Sequence, residues 1–133
     1  MTNLSREESY RLLQGEQLGR LVVRRKDDMD LFQINYVVDG DDIYFRTAEG
    51  TKLFSINVNH DVLFAVDKIS EGEAWSVIIK GDAHWVTDLD QIQHCDTLPL
   101  KPWLPTLKYN YVRITPRLVS GRHYEFGEEP ERY

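Results

Sequence analysis

Residues 35–52 read NYVVDGDDIYFRTAEGTK, and their punctuation decides the fold. Two β-rich runs, NYVV and IYFRT, flank the polar turn DGDD, in which Gly40 supplies the backbone freedom of a tight hairpin. Alternation along IYFRT turns Ile43 and Phe45 to one face and Tyr44 and Arg46 to the other. Beyond it Gly50 allows a sharp turn. Thr51 and Lys52 then open the helical run TKLFSINVN, with Leu53 and Ile56 on one face and Thr51 placed to cap its start.

The chemistry of this stretch is cationic and hydroxyl-rich in a chain of net charge -6. A helix N-terminus has backbone N–H groups without intrahelical acceptors and a partial positive charge. Together with the Arg46 guanidinium, the Lys52 ammonium and the hydroxyls of Thr47 and Thr51, it can surround one phosphoryl group. The pattern is neither a Walker A loop nor a dinucleotide fingerprint, since the glycine spacings of both are missing. From charge alone, a solvated turn whose Arg and Lys pair with acidic neighbours accounts for the stretch equally well.

Outward from this centre, Ser5 with Glu8 makes a capping box for a short helix ending near Gly15. The runs GRLVVRR and LFQINYVV are strands joined by the polar turn KDDMD, so with IYFRT they form an antiparallel meander. DVLFAVDKI and EAWSVIIKGDAHWVT are strands around the turn SEGE, the second with a bulge near Gly81. DLDQIQHC is a helix capped by Asp88. PLKPWLP is too proline-rich for regular structure, YNYVRITP returns as a strand, and RLVSGRHY adds one more. Six or seven mostly antiparallel strands with a few short helices predict a mainly β, closed barrel.

With 133 residues the chain is one domain, and 16 Lys+Arg against 22 Asp+Glu exclude a broad basic surface for nucleic acid or anionic membrane. The end EFGEEPERY, residues 125–133, reads as a loose, solvated tail. No stretch resembles a signal peptide or reaches membrane-spanning length, so the expected location is the cytoplasm. Cys95 is the one cysteine, which excludes an intrachain disulfide. His60, His84, His94 and His123 lack metal-ligand spacing and are read as solvated or structural.

The succession GRLVV, INYVVDGDDIYFRTAEGTKL, DVLFAVD, WSVIIKGDAHWV, KPWLP and YVRITP resembles the small bacterial members of the pyridoxamine 5'-phosphate oxidase-like, FMN-binding split-barrel family. The likeness runs from Leu4 to about Tyr124. It implies a six-stranded antiparallel split β-barrel that forms a homodimer, with FMN in a groove between the subunits. Carried over, Arg46 and Lys52 bind the FMN phosphate, with Thr47 and Thr51 adding donors. Asn35, Tyr36 and Val37 run beside the isoalloxazine, Trp75 and Ser76 match a strand that contacts the flavin, and Trp103 approaches it from the partner subunit. Each has a packing alternative: Tyr36 as strand packing, Trp75 as a core aromatic and Trp103 as an anchor of the proline-rich loop.

The family's B6 oxidases carry a longer C-terminal end with Arg and His that grip the substrate phosphate. Here the end is SGRHYEFGEEPERY, in which Arg122 and His123 are a faint echo, so vitamin B6 oxidation is not implied. The expectation is an FMN-dependent oxidoreductase acting on a small substrate, with no catalytic side chain nominated because the cofactor carries the electrons. The alternatives are a non-enzymatic flavin-binding or storage protein, and a split barrel that takes the deazaflavin F420 or haem instead.

Overall fold

A computed structural model describes residues 1–48, 50–100 and 110–127, with backbone only at Thr51, Lys52 and Phe54. The elements run β1 (Thr2–Leu4), α1 (Arg6–Gln14), β2 (Leu18–Arg25), β3 (Asp28–Asp39), β4 (Asp42–Thr47), α2 (Thr51–Val58), β5 (Asp61–Ser70), β6 (Glu73–Trp85), α3 (Leu89–Asp96) and β7 (Asn110–Glu125). Every strand pairing is antiparallel, in the order β1-β7-β4-β3-β2-β5-β6, and β6 pairs back onto β7. Six strands therefore close into a ring, the split barrel that the resemblance implies, and β1 lies outside it against β7.

Local chemistry explains the ends of these elements. Ser5 and Glu8 exchange the two capping-box hydrogen bonds, each 3.1 Å, and the Gln91 N–H donates to Asp88 Oδ2 at 3.1 Å. Gly40 and Gly72 take positive φ, 61° and 78°, in their two-residue turns. The first hairpin turn is tighter than KDDMD: Lys26 adopts φ 55°, Arg25 pairs with Asp28, and Asp28–Asp30 belong to β3.

The two expected C-terminal strands are one. Asn110–Thr47 to Ile114–Ile43 pair β7 with β4, and Gly121–Leu4 to His123–Thr2 pair it with β1, both on one edge. The other edge runs beside β6 from Trp85–Val112 to Glu73–Glu125. Pro116 is tolerated because it falls where neither β4 nor β1 requires an N–H and where the β6 register shifts between Lys80 and Gly81. A Cβ on Gly81 would lie 2.6 Å from the Thr115 carbonyl oxygen, so the bulge needs the glycine. At the chain end, Glu125 belongs to β7 and the Phe126 N–H donates to the Gly72 carbonyl, so the tail is not loose from residue 125. Residues 128–133 lie outside the described residues.

Inside the ring, Leu21, Val23, Ile43, Phe45, Phe64 and Ile114 are fully buried. Leu53 and Ile56 of α2 and Tyr10 and Leu13 of α1 join the same core. Tyr36 also points inward: its ring meets Phe64 edge-on at 5.0 Å, and its hydroxyl donates to the Leu13 carbonyl at 2.6 Å, tying α1 to the barrel. Burial, with the Glu16 charge adding to it, pushes the Tyr36 phenol above the usual tyrosine range. Outside the ring, Tyr44, Val86, Cys95, Leu100 and Tyr111 form a second cluster.

Two stability predictions follow from this packing. A Cβ on Gly19 would lie 2.5 Å from the Phe64 ring, so Gly19→Ala should cost about 1–3 kcal/mol in chemical denaturation. In that background Phe64→Leu should cost less than it does alone, because it vacates the contested space; additive losses would mean that the ring and the methyl do not compete. Tyr36→Phe should cost about 1–2 kcal/mol at neutral pH. An acid whose folded-state pKa is raised stabilises below its unfolded pKa, so the wild type should lose stability as pH rises above about 10. Tyr36→Phe should show a shallower loss there, and an unchanged slope would assign the effect to other tyrosines.

Candidate functional site

The outer faces of β3 and β4 build the candidate site. With Ile43 and Phe45 in the core, Tyr44 and Arg46 are left on the outside. Register pairs Tyr36 with Phe45 and Val37 with Tyr44, which sets outward-facing Asn35 next to Arg46. Both are half-buried. The Arg46 Nη1 donates to the Leu100 carbonyl at 3.3 Å, and Thr47 Oγ1 donates to the Ala48 carbonyl at 3.1 Å.

α2 starts at Thr51, four residues beyond the end of β4. Its N-cap is Gly50, which has no side chain with which to cap the first amides, and no acidic residue lies in its first turn. Thr51 was expected to be the cap but is the first helical residue; a cap must itself lie outside the helix, and the chain gives that position to Gly50. The N-terminal amides of α2 thus have no N-cap side chain as acceptor and follow, in sequence, soon after a half-buried guanidinium, an arrangement that suits an anion. The side chains of Thr51 and Lys52, and the whole of Trp103, lie outside the described residues.

Two of the sequence-derived site residues face the wrong way for direct contact at the surface. Tyr36 spends its side chain on the core and on α1, and its amide donates to the Gln17 carbonyl at 3.0 Å. Trp75 is an interior residue, 8 % exposed. Ser76 faces outward on β6 and pairs with Asp67, while Asn35 pairs with Leu18. By way of β3, β2 and β5, Arg46 and Ser76 are four strands apart, about 19 Å along the sheet at about 4.8 Å per strand, with the Arg20–Asp67 ion pair between them. Through β7, which pairs with both β4 and β6, they lie far out of register, Arg46 beside Tyr111 and Ser76 beside Arg122. One chain brings Asn35, Val37 and Arg46 together on the outer face, places Thr47 next to Arg46 at the strand end but with the parity of Phe45, and leaves Ser76 at a distance.

α3 covers the neighbouring outer surface. Tyr111 donates to Asp96 Oδ1 at 2.6 Å, His94 Nε2 meets Asp39 Oδ2 at 2.7 Å, and Arg113 Nη1 donates to Gln91 Oε1 at 3.3 Å. Burial raises the Asp42 carboxyl, with Arg113 opposing and Asp41 and Asp39 adding to the shift. It also pushes the Cys95 thiol up, keeping it protonated and unreactive. His60 stacks on His84 at 4.5 Å and donates from Nδ1 to the Ala83 carbonyl at 3.0 Å, and His123 meets Glu73. Among the described residues no group of three or more His, Cys, Asp or Glu could hold a metal ion. Among the described residues no helix is long and apolar enough to cross a membrane. The Leu100 carbonyl and the His94–Asp39 pair escaped sequence reading, because a backbone acceptor has no residue signature and a contact across 55 positions leaves no local pattern.

An apolar strip crosses the outer face of the sheet on the strands beyond the site. Met29 and Leu31 of β3 are 68 % and 62 % exposed. Val22 links Leu31 to Leu63 by register, Ala65 pairs with Ile78, and Lys80 with Leu118, which is 52 % exposed. A shallow groove of about 260 Å³ runs between Val22, Met29, Leu63 and Lys80.

Comparison with known proteins matches the fold. A Corynebacterium glutamicum protein named as a candidate pyridoxamine 5'-phosphate oxidase superposes with a TM-score of 0.90 at 55 % identity, covering 96 % of each chain. A Mycobacterium smegmatis protein described as FAD-binding superposes with a TM-score of 0.83 at 38 % identity, covering 95 % of this chain and 100 % of its own. A Mycobacterium tuberculosis protein without an assigned function is 42 % identical over 96 residues, 72 % of this chain and 87 % of its own. The profile of the family described as pyridoxamine 5'-phosphate oxidase matches residues 5–123, and the chain belongs to that family.

Proposed function

We propose that the chain binds FMN on the outer face of β3 and β4 and acts as a flavin-dependent oxidoreductase on a small substrate. The observation that carries this reading is the half-buried Arg46 guanidinium next to Asn35, followed four residues beyond the end of β4 by an α2 N-terminus whose Gly50 cap has no side chain and whose first turn holds no carboxylate. Arg46 is already steadied by the Leu100 carbonyl, so less side-chain entropy is lost when it pairs with a phosphate. In this reading Thr47, Thr51 and Lys52 complete the phosphate site. Asn35 and the backbone from Tyr36 to Val37 line the ring edge, and Trp75 packs beneath the strand that presents Ser76.

A bound flavin supplies the electron or hydride transfer. The chain's own part is to hold the phosphate, orient the ring and shield one of its faces from water. Family membership and the M. smegmatis relative support a flavin, and that relative's described ligand favours FAD as a second reading, because FAD contains the same ribityl phosphate joined to AMP through a phosphoanhydride. A non-enzymatic flavin carrier would use the same site. Turnover with NAD(P)H separates enzyme from carrier, and the visible spectrum of the purified protein separates flavin from F420 or haem.

The proposed assembly is a homodimer in which Trp103 reaches the flavin of the partner subunit. Its support is the apolar strip through Leu31, Leu63 and Leu118, a surface that water penalises unless a second copy covers it. Light scattering should give the mass of two chains at micromolar concentration. Leu31→Asp should shift that mass toward one chain and weaken FMN binding together, and a wild-type monomer with FMN bound would overturn the assembly.

For the phosphate, Arg46→Ala should lower FMN affinity by about 1.5–3 kcal/mol, roughly 10- to 150-fold, the range for a hydrogen bond to a charged group. Lys52→Ala should lose less, since an ammonium is a less directional partner. Riboflavin, which lacks the phosphate, should bind more weakly to the wild type and scarcely notice either change. Equal losses of riboflavin and FMN, or none, would return FRTAEGTK to a solvated turn.

A further inference from the structure

Arg46 is joined to a second structural unit. The carbonyl that receives its Nη1 belongs to Leu100, and Leu100 is bonded back to α3 through Leu100 N–H to Leu98 O, 2.8 Å, and Leu98 N–H to Cys95 O, 3.0 Å. The position of that carbonyl therefore follows α3. Three polar ties fix α3 on the barrel: Tyr111–Asp96 and Arg113–Gln91 hold it to β7, and His94–Asp39 holds it to β3. β3 is also the strand that carries Asn35 and Val37. Of the three ties, only the last contains an imidazole.

We propose that His94 and Asp39 are positioning residues for the anion site: they latch α3 to β3 and so hold the Leu100 carbonyl that aims the Arg46 guanidinium. The inference rests on the reading of Arg46 as the phosphate ligand. Protonation of His94 turns its hydrogen bond to the Asp39 carboxylate into a charge-assisted one. The latch is then tighter when the imidazole is charged than when it is neutral. The titratable and charged groups around the pair are Asp41 and Asp42 on the β3–β4 hairpin, Cys95 and Asp96 on α3, and Arg113 on β7. Because the two side chains are 53 % and 37 % exposed, the effect is modest, a fewfold change in affinity.

The test is FMN and riboflavin titration of the full-length wild type, His94→Gln, Arg46→Ala and the double variant, at about pH 5.5 and about pH 8, either side of the range in which imidazoles titrate. Taking the ratio of variant to wild-type Kd cancels the titration of the FMN phosphate itself, whose second pKa is about 6. Gln keeps a hydrogen bond to Asp39 but cannot be charged. The His94→Gln ratio for FMN should be about 3 in acid and close to 1 in base, with riboflavin unchanged at both. In the Arg46→Ala background His94→Gln should have no further effect. A ratio that does not change with pH, an equal loss of riboflavin, or an undiminished effect in the Arg46→Ala background would overturn the latch while leaving the phosphate site standing. An Arg46→Ala protein that binds FMN like the wild type would overturn the phosphate site and the latch with it.

Discussion

Closure of the sheet along β7 is the constraint on which the rest depends. A 16-residue strand gives one edge to β4 and β1 and the other to β6. The bend this demands is met by the register shift at Lys80/Gly81 and by a proline placed where no ladder needs its N–H. Once the ring closes, every strand has an inner and an outer face, and a residue's parity fixes its role. Ile43 and Phe45 must fill the core and Arg46 must look outward; a one-residue slip would exchange them. The position of the proposed anion site is thus a consequence of barrel closure as much as of local sequence.

A closed six-stranded ring is narrow. Its interior is filled by side chains to the point that Gly19 has no Cβ because the Phe64 ring occupies the space, and larger barrels are the ones that enclose ligands. Any ligand of this fold must bind on the outside, where strand faces alone offer a shallow surface. Added elements give that surface depth: α2 supplies an N-terminus beyond β4, and α3 with Leu100 walls the face beside Arg46. The apolar strip from Leu31 to Leu118 offers ground for a third wall, which in the proposed homodimer is a second copy of the chain.

Elements with local chemistry were legible in the sequence. Ser5 and Glu8, Gly40, Gly72, Gly81 and Asp88 each act within a few residues, so their caps, turns and bulge could be read before any tertiary contact was known. What stayed hidden depends on partners far along the chain. β1 has three residues and exists only because β7 offers an open edge beyond β4. Pro116 reads as a strand end by local rules and is overruled by pairing. Tyr36 and Trp75 stand on the strands that the family resemblance marks for the flavin, yet parity sends both rings inward, and only the register of the closed sheet reveals it.

The same distinction separates what this chain shares with its family from what it builds for itself. Arg46 and the start of α2 belong to the stretch that carries the resemblance, and their geometry follows from the meander and the helix that comes after it. The grip on Arg46 comes from elsewhere. Asp39 sits at the end of β3, His94 55 residues later on α3, and Leu100 six residues beyond that. None of these contacts is needed to close the barrel, whose core lies on the other side of the sheet. A contact that closure does not need can vary without loss of fold, and relatives that share the ring need not share the latch. On the proposed reading, differences in how tightly members of this family hold an anion should therefore be sought in the segment that follows β6, where α3 and Leu100 lie outside the ring, rather than in the strands that the closed sheet must keep.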